Sequence, residues 1–465
     1  MIKVFFKTYG CQANVADSAD LMAYLQEFGC DTAGKEGEAD LILVNTCAIR
    51  EKAEQKVFSY LGQLIDLKKK RPFLRIGVIG CIASYRKKEF YSRFDHVNFV
   101  FGAKEELKVL KDYLLDVVEG VASAKQLYHS KPSSFYSFVG QDRDIEKVVQ
   151  KNARSKKIRF ALSKPLSSQK QTKEMKRTYL NIMTGCNNYC SYCIVPFTRG
   201  REKSYSMESM LQKIRQEVQA GSKEINLTGQ NVNSYRDPET GANFADLLSK
   251  IAKIEGQFWV RYVSPHPKDT NAELIDVMAE NKDKICGYIH LPLQSGSNNI
   301  LKAMRRVYTV EHYLDIIEMI RQKLPHATIS TDIIVGFPGE SEEDYQKTRE
   351  VIEKVRFDMI YSFIYSKRKY TRAYDMEDDC QHDVKLKRLM DLQSRGKEIY
   401  FENNSKLVGR ALKCLVEQRL SCGKLLARTE GNIRVEFDGD DKLIGNFVEI
   451  IVEIAGNANI KGRLA

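Results

Sequence analysis

Three short runs in the first hundred residues are apolar almost without interruption: residues 2–8, 40–46 (DLILVNT) and 75–80 (RIGVIG). Runs of this length, rich in Val, Ile and Leu, read as β-strands buried on both faces. Between them the spacing becomes helical. Leu21, Tyr24, Leu25 and Phe28 share one helix face, and Val57, Tyr60, Leu61 and Leu64 share another. Strands alternating with helices predict βαβ units and a parallel sheet. Such a sheet gathers its C-terminal strand ends on one edge, where open α/β sheets bind ligands. Each of the three runs ends at a cysteine: Cys11, Cys47 and Cys81. They lie about 35 residues apart, too far for a local motif, yet at equivalent strand ends the fold would bring them together.

The rhythm resumes in the middle of the chain. Strands are expected at 179–183, 224–227, 259–263, 287–291, 328–335 and 359–365. Between them, Met207, Met210, Leu211, Ile214 and Val218 form one apolar stripe, and Phe244, Leu247, Leu248 and Ile251 form another. A further helix starts near Ser341, with Asp344 as its capping-box partner. Six such units predict a partial (β/α)6 barrel with its functional residues on the C-terminal side of the strands. Polar strings fall there: residues 228–233 (TGQNVN), 264–267 (SPHP), 290–297 (HLPLQSGS) and 336–340 (GFPGE). Their glycines permit a close approach of backbone to ligand. His266 and His290 suit either a ligand or a structural hydrogen bond.

From Lys406 the pattern changes to short β-rich runs, 413–417, 433–437 and 448–452, between glycine-containing turns. These predict a small β-barrel. The expected class is therefore α/β: an N-terminal parallel-sheet domain (1–117), a basic linker (118–171), the partial barrel (172–403) and a small C-terminal β-barrel (404–465).

The chemistry is concentrated in Cys186, Cys190 and Cys193, a C-x3-C-x2-C spacing. A [4Fe–4S] cube normally takes four cysteines, so three leave one iron open for reaction. Structural zinc is the competing reading, but zinc sites usually pair C-x2-C with a second pair, and none follows here. Cys30, Cys286, Cys380, Cys414 and Cys422 are scattered and read as small hydrophobes.

Charge narrows the partners. The chain carries a formal +12 with a pI near 9.0, which favours polyanions such as nucleic acid. Residues 146–177 hold eleven Lys or Arg and two acids, suiting either a solvated linker or an RNA grip. Lys424, Arg428 and Arg434 in the C-terminal piece are candidate RNA contacts, against a structural or dimerising role for that piece. No apolar run approaches a membrane span, and the first residues read as a strand rather than a signal peptide, so a cytoplasmic location is expected.

Four strings carry a resemblance: residues 8–18 (TYGCQANVADS), 44–53 (VNTCAIREKA), 193–202 (CIVPFTRGRE) and 229–235 (GQNVNSY). With the two cysteine triplets, they resemble the radical S-adenosylmethionine (SAM) methylthiotransferases over nearly the whole chain, in the MiaB-type branch that acts on tRNA. The resemblance implies two [4Fe–4S] clusters, one on Cys11, Cys47 and Cys81 and one on Cys186, Cys190 and Cys193. It implies that SAM chelates the open iron of the second cluster and is cleaved to a 5′-deoxyadenosyl radical, with Tyr192 near its adenine and Gly229, Gln230, Asn231, Ser295 and Gly296 as further candidate contacts to the cofactor. The implied reaction places a methylthio group on C2 of N6-isopentenyladenosine at position 37 of tRNA, one SAM supplying methyl and another the radical. The alternative targets are threonylcarbamoyl-adenosine in tRNA and a ribosomal-protein aspartate. The implied C-terminal module is a TRAM domain, Arg199 and Arg201 join the RNA candidates, and a flavodoxin or ferredoxin is the implied reductant. The chain departs from the family at residues 365–373 (YSKRKYTRA), which have neither Pro nor Gly, and at Ala427-Arg428-Thr429, where Gly-Arg-Thr is usual.

Overall fold

The computed structural model describes residues 1–48, 51–105, 107–130, 175–456 and 458–465. Most of the basic stretch at 146–177 lies outside them. The described residues form two compact units. Residues Ile194–Gly200 belong with the N-terminal one, and the barrel and the C-terminal module together make the other.

The N-terminal unit is a five-stranded sheet of β1 (Lys3–Tyr9), β2 (Asp31–Thr32), β3 (Leu41–Thr46), β4 (Arg75–Gly80) and β5 (Phe99–Gly102). Its order is β2-β1-β3-β4-β5, with every pair parallel. All residues of β3 and β4 are buried, as their unbroken apolar runs require. Helices Glu51–Lys70 and Ala83–Arg93 cover one face through Val57, Leu61, Leu64 and Phe90. Helices Gln12–Glu27 and Leu107–Ser130 cover the other through Leu21, Leu25, Leu110 and Leu114. Phe28, expected on the buried stripe, is 41% exposed and rests on Tyr24 instead. The strand order reverses between β1 and β3, and a doubly wound sheet opens a ligand crevice at that point.

The second unit opens with β6 (Arg177–Asn181). A short antiparallel pair follows, β7 (Met183–Thr184) with β8 (Lys203–Ser204). Next come β9 (Glu224–Thr228), β10 (Trp259–Tyr262), β11 (Tyr288–His290), β12 (Thr328–Val335) and β13 (Met359–Ile364). Strands β6, β9 and β10 form one parallel sheet and β11, β12 and β13 another, linked by a parallel bridge from Val260 to Ile285. These are the six barrel strands the pattern predicts. Met210, Leu211 and Ile214 of helix Met207–Gln219 pack into its core with Leu247, Leu248 and Ile251 of helix Phe244–Ala252. The Ser341–Asp344 capping box forms as expected.

Helix His382–Ser405 then leads to a closed barrel of β14 (Ala411–Arg419), β15 (Leu425–Thr429), β16 (Arg434–Phe437), β17 (Phe447–Ile454) and β18 (Ile460–Leu464), in the order β14-β15-β16-β18-β17. It docks on the (β/α)6 strands through Trp259, Cys286, Leu415 and Phe447. Beside that apolar patch lies a buried charge cluster. Arg261 Nε donates to Glu224 Oε2 at 2.8 Å, and its two terminal nitrogens donate to the carbonyls of Thr429 and Glu430, each at 2.7 Å. Arg177 pairs with both Glu224 and Glu417. Among the described residues no helix is long and apolar enough to cross a membrane.

Candidate functional site

The first site grows from strand register. Tyr9 on β1 pairs with Thr46 on β3, and Thr46 pairs with Gly80 on β4. Cys11, Cys47 and Cys81 therefore leave three adjacent strands at the same edge, and neighbouring strands lie only about 4.8 Å apart. Two of the cysteines flank the point where the strand order reverses. The polar residues of the same sequence strings hold them there. Asn14 Oδ1 accepts from the Cys11 backbone N–H and lies 3.3 Å from its sulfur. Asn14 Nδ2 donates to Asn45 Oδ1 at 3.0 Å, and Asn45 Nδ2 returns a bond to the Asn14 carbonyl at 2.9 Å. The Thr46 carbonyl accepts from the Cys81 N–H at 2.8 Å, and Thr46 Oγ1 accepts from Ile82 N–H at 3.2 Å. Gly80 sits at φ 97°, and a Cβ there would fall 2.5 Å from Asn45 Oδ1 and the Thr46 carbonyl.

The electrostatics favour the Cys11 thiolate. A hydrogen bond with the Cys47 side chain brings the Cys11 thiol down to about 6; desolvation opposes this and the Arg199 guanidinium reinforces it. Arg199 was expected on an RNA-facing surface. Its side chain is instead 6% exposed, with Nη2 on Asp17 Oδ2 at 2.7 Å and Nε on Cys81 Sγ at 3.3 Å.

The second site follows β6. Cys186 and Cys190 are buried and Cys193 is half-buried. The loop that carries them turns through Gly185, just before Cys186, at φ 80° and through Tyr189 at φ 47°. Ser191 pins it, its N–H on the Met304 carbonyl at 2.9 Å and its own carbonyl receiving Ala373 N–H at 2.7 Å. The 365–373 stretch is thus anchored on the cysteine loop, and Tyr370 holds a left-handed turn at φ 74° without glycine. Burial pushes the Cys186 thiol up to about 11 and the Tyr192 phenol well above its usual range. Tyr192 packs beside Ile300, Met304, Phe337 and Tyr365. Arg306 was not singled out by sequence; it donates from Nη1 to Cys190 Sγ at 3.4 Å and from Nη2 to the Pro292 carbonyl at 3.1 Å.

Arg306 also lines a cavity of about 140 Å³ at the C-terminal ends of the barrel strands, with Gln230, Ser264, His266, His290, Gln294 and Asp332. Ser264 and Gln294 hold φ of 63° and 75°, and Arg305, next to Arg306, holds 59°. Each such non-glycine turn costs about 1 kcal/mol or more, and strain of this kind gathers at functional sites. Burial, with Arg306 and Lys268 nearby, pushes His266 down to about 2, so it is neutral, and its Nδ1 accepts from Lys268 N–H at 3.2 Å. His290 is bracketed by Ser330 Oγ on Nδ1 at 2.9 Å and Asp332 Oδ2 on Nε2 at 3.3 Å.

The other ligand candidates divide. Gln230 faces the cavity, and its Oε1 accepts from Gly185 N–H at 2.6 Å. Asn231 is fully buried, with Nδ2 on Asp269 Oδ2 at 2.9 Å, and among the described residues its Oδ1 has no hydrogen-bond partner. A Cβ on Gly229 would meet the Met183 side chain at 2.7 Å. Ser295 and Gly296 are instead taken up by helix Glu342–Val355. A Cβ on Gly296 would lie 2.5 Å from Thr348 Cα, and its N–H donates to Thr348 Oγ1 at 2.9 Å. Packing against that helix accounts for the glycine. Of the RNA candidates, Arg201 and Arg434 are exposed, and Lys424 pairs loosely with Asp438 at 3.3 Å. Arg428 turns inward as a two-point pair with Glu417, at 2.7 and 3.1 Å.

Each triplet sets three thiols on strand-end loops with a guanidinium against one sulfur, Arg199 on Cys81 and Arg306 on Cys190. Each thiolate of a [4Fe–4S] cube takes its own iron, so its sulfurs stand further apart than those on one zinc. Among the described residues no three His, Cys, Asp or Glu side chains are gathered as a single ion requires.

A (β/α)6 barrel with a C-x3-C-x2-C loop after its first strand defines the radical SAM class. Residues 180–352 match the Radical SAM superfamily model, and residues 3–102 match Uncharacterized protein family UPF0004. The radical SAM methyltransferase TsrM from Kitasatospora setae, solved with tryptophan substrate and a SAM analog, shares the fold. Its TM-score is 0.53 at 14% identity, over 80% of this chain and 75% of its own. The chain is 40% identical over 463 residues to the tRNA-2-methylthio-N6-dimethylallyladenosine synthase of Carboxydothermus hydrogenoformans, covering 98% of each. It is also 40% identical over 467 residues to the enzyme of that name from Fusobacterium nucleatum, covering 100% of both. The chain belongs to the tRNA-2-methylthio-N6-dimethylallyladenosine synthase family.

Proposed function

We infer that this chain is a tRNA methylthiotransferase acting on C2 of N6-isopentenyladenosine at position 37. The observation that carries this reading is the pair of thiol triplets, one at the reversal point of a parallel sheet and one on the first loop of the (β/α)6 barrel. Bound clusters and SAM would supply radical chemistry at the second triplet and sulfur chemistry at the first, which an unactivated C2–H bond calls for because it is beyond acid–base chemistry. Cys11, Cys47 and Cys81 would hold one cluster, and Cys186, Cys190 and Cys193 the other. The chain's own contribution is placement. Asn14, Asn45 and Thr46 fix the first triplet; Ser191 and Arg306 fix the second.

The strand-end cavity presents neutral His266, Gln230 and the Asp332–His290 pair, a set of donors and acceptors suited to a nucleoside or to the polar end of SAM. The buried, unsatisfied Asn231 Oδ1 marks a second place where a ligand donor fits. Arg201 and Arg434 are exposed cations, and Lys424 a half-buried one, for the RNA backbone, and an anticodon loop lets the base unstack more cheaply than a duplex would. A cytoplasmic setting and a small reducing protein of the flavodoxin or ferredoxin type complete the reading.

The test uses anaerobically reconstituted protein, SAM, a reductant and an anticodon stem-loop carrying isopentenyladenosine. Mass spectrometry should find the 2-methylthio product. A protein that cleaves SAM but leaves this RNA unchanged, while modifying a threonylcarbamoyl-adenosine RNA, would move the substrate to the alternative.

A further inference from the structure

Arg199 occupies a position that RNA binding does not explain. It ends the short helix Val195–Arg199, which starts two residues after Cys193 yet packs within the N-terminal unit. Three contacts hold the segment there. Ile194 joins the apolar core that contains Cys81 and Ile82. Ser84 Oγ donates to the Thr198 carbonyl at 3.0 Å. Arg199 itself bridges Cys81 Sγ, at 3.3 Å, and Asp17 Oδ2, at 2.7 Å. Asp17 lies on the helix that begins at Cys11, so one guanidinium connects the third cysteine to the helix of the first.

A guanidinium is expensive to bury without a compensating charge. Asp17 supplies one negative charge, but Asp17 alone would not require Nε to face a sulfur. A thiolate trio carrying a cluster would, since it concentrates negative charge that increases on reduction. Hydrogen bonds and positive charge at cluster sulfurs favour the reduced form and raise the potential. We propose that Arg199 is a positioning and charge-balancing residue of the N-terminal cluster, acting through Cys81 and moderated by Asp17. The proposal rests on the reading that Cys11, Cys47 and Cys81 hold a cluster.

The two partners then work in opposite directions. Arg199→Met removes the donor and the positive charge, so the cluster becomes harder to reduce. Asp17→Asn keeps the Arg199–Cys81 bond and frees the guanidinium charge, so the cluster becomes easier to reduce. Arg199→Lys keeps the charge but loses the planar donor geometry and falls between wild type and Arg199→Met.

The experiment takes the full chain with Cys186, Cys190 and Cys193 changed to Ala, leaving one cluster. Reconstituted protein is titrated with a redox mediator series and followed by electron paramagnetic resonance, with iron counted in parallel. The expected result is a tenfold change in the reduced-to-oxidised ratio in each direction, which is about 59 mV for one electron. Equal potentials in all variants, with only thermal stability altered, would reduce Arg199–Asp17 to a structural ion pair and overturn the proposal. If Arg199→Met retains too little iron to titrate, Arg199→Lys and Asp17→Asn still give the two signs. A parent that binds no iron would overturn the cluster reading itself, a different failure from equal potentials.

Discussion

Replacing Arg261 with Met should unfasten the C-terminal β-barrel from the (β/α)6 strands before the rest of the chain unfolds. Arg261 is 5% exposed and makes one bond to Glu224 and two to carbonyls on the C-terminal module. Burial alone would push the Glu224 carboxyl up, but Arg261 and Arg177 outweigh it and hold the carboxyl at about 2, against an ordinary 4.5. That depression corresponds to about 3 kcal/mol. Breaking a buried pair from one side typically costs 3–5 kcal/mol or so, roughly, and Arg177 keeps part of it. About 3 kcal/mol is therefore the expected loss.

The single tryptophan, Trp259, reports on this place directly. It is 1% exposed, and its ring meets that of Phe447 at 4.9 Å and 73°. With a urea slope of about 2 kcal/mol per molar, the fluorescence transition should move down by roughly 1.5 M. Acid should act in the same direction. Because the folded carboxyl titrates below its unfolded value, its contribution is full above pH 4.5 and disappears as pH falls toward about 2. Arg261→Met should begin its acid transition at a higher pH than wild type. An unchanged urea midpoint would mean instead that the charge cluster costs as much to desolvate as it returns.

Other outcomes follow from the sites. Cys190→Ala should abolish SAM cleavage, whereas Cys47→Ala should spare cleavage and block sulfur insertion; full methylthiolation by Cys47→Ala would remove the first triplet from the reaction. Gly296→Ala should destabilise the barrel by about 2 kcal/mol in a melt, through overlap with Thr348, while leaving SAM affinity within a factor of two or so, roughly. A selective loss of SAM affinity would return Gly296 to the ligand site. Arg434→Glu should weaken binding to an isopentenylated stem-loop and reduce the salt dependence by about one counterion, measured by titration at several salt concentrations. The inward-turned Arg428 should affect RNA binding only through the stability of the module.

The fold was legible where one hydrophobic period ran unbroken. β3 and β4 announced a buried parallel sheet, and strand ends in register brought Cys11, Cys47 and Cys81 to one edge. β15 (LLART) and β18 (IKGRL) were not anticipated: LLART has no apolar–polar alternation, and IKGRL offers only two large apolar residues. The direction in which an arginine points was also illegible. Arg199 and Arg428 look like free cations in the sequence, but their acceptors are Asp17, Cys81 and Glu417, and only the tertiary fold brings Arg199 to its two. Arg306 reaches Cys190 across 116 residues, a separation no local motif records. Asn14, Asn45 and Thr46 were visible as letters in the family strings, yet their work as a hydrogen-bonded frame needs the strand register. Ser295 and Gly296 show the converse: a glycine at a strand end suggests a ligand, but the space it leaves is filled by Thr348.

Methylthiolation of isopentenyladenosine in tRNA by this chain can be read directly in cells. The direct measurement is mass spectrometry of total-tRNA nucleosides from cells with and without the gene. The expected result is loss of 2-methylthio-N6-isopentenyladenosine in the deletion strain, with N6-isopentenyladenosine accumulating, and restoration by the wild-type gene but not by Cys190→Ala. An unchanged ratio of the two nucleosides would contradict it.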